Sequence, residues 1–199
     1  MAVTALVMFI VLISLVMGVR VLIQVRRTGD HGVRRKTGTH SPGQRWGESL
    51  GAIGYLGLGI ASPVAAMVGL DPVVDSSTVE YVGLVVAAAG IVATFTAQLA
   101  MGNSWRVGVD PDERTPLITS GPFRLVRNPV TTTAVLTCAG LVLMVPNVVG
   151  LVGFAAFVTA NQILIRLVEE PYLIRIHGSD YVSYAGRVGR LVPGLGRLS

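Results

Sequence analysis

Two stretches of this 199-residue chain gather the side chains able to do chemistry. The first, MGNSWRVGVDPDERTPLITSGPFRLVRNPV (101–130), carries Trp105, Arg106, the acids Asp110, Asp112 and Glu113, and then Gly121, Pro122, Arg124, Arg127, Asn128 and Pro129. The second, RLVEEPYLIRIHGSDYVSYAGRVGRLVP (166–193), carries Arg166, the adjacent acids Glu169 and Glu170, His177, Tyr181 and Tyr184. Arg124 and Arg127 stand three apart, and a guanidinium fork suits a carboxylate. Gly121 permits close backbone approach, while Pro122 and Pro129 fix φ and stiffen the turn. Tyr181, Tyr184 and Val188 recur at spacings of three and four, so they share one face of a short helix against the membrane surface or the bundle. The Asp110-Pro-Asp-Glu turn lacks histidine and further ligands, so no metal site is expected. His31 and His40, in a basic loop, have no chemical partner in the pattern.

The elements that must position these residues are membrane helices. Hydrophobic residues make up 51% of the chain and charged residues 14%, and mean hydropathy is +0.64, outside the range of a soluble globular domain. Runs near 20 apolar residues can cross a bilayer. Five candidates follow: Ala2 to Gln24, Ser49 to Leu70, Val79 to Met101, Val130 to about Val145, and Val148 to about Val168. Only Pro146-Asn147 separates the last two, which predicts a helical hairpin with a short fourth helix. The first run has no charge before its core and reads as a retained anchor. Gly51, Gly54, Gly57 and Gly59 predict a close helix–helix contact in the second. The fold class expected is all-α integral membrane, one domain over 1–199, with 1–100 as a three-helix anchor part and 101–199 as the catalytic part.

All sixteen Lys and Arg residues fall at Arg20, in 26–45, in 102–129 or from Arg166 onward, and the opposite loops have none. The positive-inside rule then places the N-terminus outside and both polar stretches on the cytoplasmic side of the inner membrane. The net charge of +5 orients helices and meets anionic lipid headgroups, so it does not call for nucleic acid. Cys138 lies alone in an apolar run, which excludes a disulfide framework. Trp105 reads as an interfacial anchor, and Arg124 and Arg127 have a plainer reading as orienting cations. Gln98, near the inner end of the third run, is the polar residue there able to reach the site. A transporter would bury charge near mid-helix, and between residues 50 and 100 the ionisable groups lie only in the outer loop.

GPFRLVRNPV resembles the Gly-Pro-aromatic-Arg-x-x-Arg-His-Pro signature of the isoprenylcysteine carboxyl methyltransferase-like family, itself similar to membrane phospholipid methyltransferases. Glu169-Glu170, Leu173, Gly178, Tyr181, Tyr184, Arg190 and Pro193 resemble its C-terminal pattern. The resemblance spans roughly 98–193 and implies an S-adenosylmethionine-dependent methyltransferase. It implies that Gly121, Pro122, Arg124, Arg127, Asn128, Pro129, Glu169, Glu170 and Tyr184 hold the cofactor. Among these, Glu169 and Glu170 would meet the ammonium or sulfonium. Asn128, Glu170 and Arg166 form the catalytic set, with Arg166 steering a carboxylate on a lipophilic, isoprenoid or lipid-like acceptor. Asn128 replaces the family histidine and Thr131 the tyrosine three residues on; asparagine keeps hydrogen-bonding capacity but not acid–base chemistry near neutral pH. The rival readings are a membrane reductase related to sterol reductases, which predicts more tyrosines and a longer bundle, and a non-enzymatic membrane protein.

Overall fold

The computed structural model describes residues 1–33, 42–108 and 114–198. Five helices form the bundle: α1 (Ala2–Thr28), α2 (Pro42–Met67), α3 (Ser77–Ala100), α4 (Pro129–Met144) and α5 (Val148–His177). A short α6 (Ser179–Arg187) follows. Four of them are long and apolar enough to cross a membrane, α4 is a shorter apolar helix, and the described residues contain no strand. The all-helical membrane architecture expected from hydropathy is the one observed. His40, Asp110, Asp112 and Glu113 lie outside the described residues.

Two antiparallel pairs build the bundle, and neither is the α4–α5 hairpin suggested by sequence adjacency. α3 packs along α4, and α2 packs along α5, while α4 and α5 touch far less. Small residues explain both seams. A methyl added at Gly54 would stand 2.5 Å from the Phe157 nitrogen and 2.7 Å from the Gly153 carbonyl, so these backbones meet without side chains between them. Gly51 and Gly57 face Ala160 and Gly153 in the same seam, and Gly59 faces the ring of Phe9 on α1. Gly83 and Gly90 on α3 face Gly140 and Thr137 on α4 in the same way. In a bilayer, where lipid tails are as apolar as leucine, such backbone contact is what favours association.

Three helices contain π-helical turns: Ser14–Val19 in α1, Gly57–Ala61 in α2 and Ile165–Glu169 in α5. The last precedes Pro171, whose ring would clash with the carbonyl four residues back in an unbroken α-helix. α5 therefore runs past its expected end at Val168 to His177, and Glu169 and Glu170 sit inside the helix. At the far end, Asn147 caps α5 by accepting from the Gly150 nitrogen at 2.9 Å. Ser62 of α2 also donates to its side-chain oxygen (3.0 Å), and its amide nitrogen returns a bond to the Ser62 carbonyl (2.9 Å).

Candidate active site

At the end of the bundle that carries the arginines, α3 gives way to a single 3-10 turn (Gly102–Ser104), and a second (Gly121–Arg124) leads into α4. Gly121 adopts φ +57°, a left-handed conformation that leaves room for glycine alone, and Pro122 starts the turn behind it. Asn128 stands at the N-cap of α4 and Pro129 at its first position, where a missing N–H costs nothing. Beyond α6 the chain returns along this turn. Val126 and Gly189 form a parallel backbone bridge, the Arg127 nitrogen donates to the Gly189 carbonyl (2.8 Å), and the Asn128 nitrogen donates to that of Arg190 (3.1 Å).

Glu170 joins the two stretches. Its carboxylate, 6% exposed, accepts two bonds from Arg190, Nε to Oε1 at 2.7 Å and Nη2 to Oε2 at 2.9 Å. Arg127 Nη2 lies 3.1 Å from the same Oε1 and also donates to the Gly196 carbonyl at 2.6 Å. One buried carboxylate thus serves two guanidinium groups that are 63 positions apart in the chain. Such a pair is stable only where geometry and further hydrogen bonds offset desolvation, and the two-bond fork to Arg190 provides that. Bonding to Glu170 holds the Arg190 guanidinium above its ordinary value, against the opposing effect of burial.

Arg127 is not saturated. Its Nε and Nη1 are buried and have no hydrogen-bond partner among the described residues. Its guanidinium stands 6.0 Å over the ring of Tyr181. Tyr181 packs edge-on against Tyr184 at 6.2 Å, and the Tyr184 hydroxyl donates to the Phe123 carbonyl at 2.6 Å, fixing the turn from behind. Burial, as the largest cause, pushes both phenols up to about 12, so each remains a donor throughout the neutral range.

The expected residues therefore separate into two groups. Arg127, Asn128, Glu170 and Tyr184 meet around the turn, with Pro129 buried at the start of α4. Gly121 and Arg124 are exposed on its outer side, with Pro122 half-buried between them. Glu169, half-buried, makes no hydrogen bond or ion pair among the described residues, yet its charge is felt by Tyr181. Arg166 is exposed and bonds Gln162 at 3.2 Å. The Asn128 amide donates to the Arg190 carbonyl at 3.3 Å, and Thr132 ties the same returning segment through the Leu191 carbonyl at 2.8 Å. Arg190, which the sequence offers only within the C-terminal pattern, and Gly196, which no motif marks, complete the node through Glu170 and Arg127.

Trp105 corrects an expectation. It is 2% exposed, with Arg20, itself fully buried, stacked 4.6 Å over its ring. Arg20 donates to Gln24 (3.0 Å) and the Gly102 carbonyl (2.6 Å), and Gln24 donates to the Asn103 carbonyl (2.9 Å). The indole serves a buried cation and fastens the 102–105 segment to α1; an interfacial belt position would have left it wet. No group of His, Cys, Asp or Glu able to hold a metal occurs among the described residues.

Residues 79–180 match the phospholipid methyltransferase family, just over half of the chain. The chain belongs to that family, and with it to the class of membrane methyltransferases. The solved structure of the eukaryotic intramembrane Ras methyltransferase, isoprenylcysteine carboxyl methyltransferase, shares its fold with a TM-score of 0.60. Identity to it is 18%, and the alignment covers 96% of this chain and 67% of that one. No curated protein matches this chain.

Proposed function

We propose that this protein transfers a methyl group from S-adenosylmethionine to a lipophilic acceptor at the cytoplasmic face of the inner membrane. The observation that carries the reading is the buried Glu170 node, which joins the Gly121–Pro129 turn to the C-terminal return and leaves two Arg127 donor nitrogens, Nε and Nη1, unspent. Buried donors without partners are uncommon in native structures and suit an anionic group such as the cofactor carboxylate. When bound, S-adenosylmethionine supplies an electrophilic methyl group on a sulfonium.

The chain's own residues bind and orient. Arg127 holds the carboxylate, and Glu170 holds Arg127. Asn128 and Tyr184 fix the turn through the Arg190 and Phe123 carbonyls. Gly121, with Pro122, offers open backbone on the outer side of the turn, while Pro129 sets the start of α4. Glu169, on α5 and within electrostatic reach of Tyr181 on α6, is the acid that meets the ammonium or sulfonium. Arg124 and Arg166, both exposed, draw an anionic acceptor such as an isoprenoid carboxylate out of the headgroup layer. A carboxylate acceptor needs no general base, so rate comes from in-line positioning in a site that excludes water.

Calorimetric titration of the purified protein with S-adenosylmethionine tests the reading. Binding by the wild type and a loss of about tenfold or more in Arg127→Ala are expected, since a charge-assisted hydrogen bond contributes about 1.5–3 kcal/mol. Absence of binding by the folded wild type would overturn it.

A further inference from the structure

We infer that Gln98, on α3, is a ligand-binding residue of this site, accepting a hydrogen bond from an N–H or O–H of the bound cofactor. The inference rests on the cofactor reading above. Gln98 is 3% exposed, and its Oε1 has no hydrogen-bond partner among the described residues. An unpaired acceptor in the interior of a membrane bundle is costly, so the site that leaves it unpaired has a use for it.

The register of the α3–α4 seam places Gln98. Gly83 lies against Met144 and Gly140, Ala87 against Gly140, and Gly90 against Thr137. The Thr94 and Thr137 hydroxyls stand 3.4 Å apart. Each turn forward along α3 is thus matched by a turn back along α4. One turn beyond Thr94, Gln98 reaches the level of the first turn of α4, beside Asn128 and Pro129. α3 also touches the Gly121–Arg124 turn.

At that level of α4 the nearest polar groups are turned to other partners, and none reaches Gln98 Oε1 among the described residues. Pro129 has no N–H. The Thr132 hydroxyl is engaged by the Asn128 and Leu191 carbonyls, and that of Thr133 by the Pro129 and Val130 carbonyls. Higher in the same seam the polar groups are satisfied: Thr94 donates to the Gly90 carbonyl at 2.8 Å and Thr137 to that of Thr133 at 2.9 Å. The unsatisfied acceptor therefore appears where the seam opens onto the signature turn. An acceptor there complements the unspent donors of Arg127, and S-adenosylmethionine carries both a carboxylate and several N–H and O–H donors.

Gln98→Leu and Gln98→Glu, titrated with S-adenosylmethionine and S-adenosylhomocysteine, test the inference. The leucine variant is expected to weaken both ligands about tenfold or more, per folded protein. Its ligand-free melting temperature should stay level or rise, because the orphaned acceptor is gone. The glutamate variant keeps an acceptor and should bind more tightly than the leucine variant. Wild-type binding with unchanged affinity in Gln98→Leu overturns the inference while leaving the cofactor reading standing. Unchanged cofactor affinity with a raised KM for the methyl acceptor also overturns it, assigning the contact to the acceptor. Failure of the wild type to bind either ligand removes the cofactor reading itself.

Discussion

At one end of the bundle Pro146 and Asn147 turn the chain between α4 and α5; at the other, Asn128 and Pro129 start α4 behind the arginine-bearing turn. Both regions pair asparagine with proline, yet their polar atoms end differently. Asn147 is buried and uses both ends of its amide on Ser62 and Gly150. Asn128 is half-buried and makes one long side-chain bond, to the Arg190 carbonyl, beside an arginine with two unpaired donor nitrogens. The first turn closes its own hydrogen bonds and holds two helices together. The second leaves donors and acceptors unspent, which is what a site for a polar ligand requires.

The strongest way to break this comparison is Glu170→Ala. Arg127 and Arg190 would keep their charge in a buried setting without a carboxylate, a cost of about 3–5 kcal/mol. A large fall in melting temperature together with loss of S-adenosylmethionine binding is expected; normal stability and affinity would show that the node holds nothing. Next comes Asn147→Ala, which removes a helix cap and two further bonds, at about 1–3 kcal/mol. Here the melting temperature should fall while cofactor affinity per folded protein stays at the wild-type value. A drop in that affinity would mean the two ends are not independent.

A smaller effect belongs to Tyr184→Phe, which loses the bond to the Phe123 carbonyl, worth about 1 kcal/mol. Its pH dependence has a definite sign. The folded phenol titrates at about 12, above the unfolded value near 10, so the neutral form is favoured by folding. That contribution is whole below about pH 10 and is lost as pH rises toward about 12. Melting curves of wild type and variant across that window should converge; parallel curves would exclude Tyr184 as the group responsible. The smallest change expected is Asn128→His, since the backbone bond from residue 128 to the Arg190 carbonyl survives. Stability should move by less than about 1 kcal/mol, with cofactor affinity acquiring a dependence on pH near the ordinary histidine value of about 6.5. A collapse of folding would show instead that the asparagine amide is indispensable to the returning segment.

Parts of this arrangement are legible without coordinates. Gly51, Gly54 and Gly57 announce a close seam because little besides backbone contact makes so many glycines useful in a membrane helix. Their partner, α5, is not legible, since nothing local says which of four other helices lies opposite. Glu169 and Glu170 are alike in sequence, but the π-helical turn ahead of Pro171 sends one into a double ion pair and leaves the other free of partners among the described residues. Trp105 misleads for a similar reason. Tryptophan at a helix end usually marks the interface, and only the arrival of Arg20 from α1, 85 residues earlier, makes it a buried cation's platform.

The sequence alone determined that the chain is a helical membrane protein with its cations gathered at one end, because bilayer thickness sets run length and each residue's transfer cost is local. It also gathered the polar side chains into two stretches, 101–130 and 166–193. The tertiary structure decided which helices pair, which glutamate is consumed by arginines, and where Arg127 and Gln98 keep atoms unspent. Those outcomes depend on contacts between residues tens of positions apart, and a hydrogen bond is counted as satisfied or unsatisfied only when both partners have a place in space.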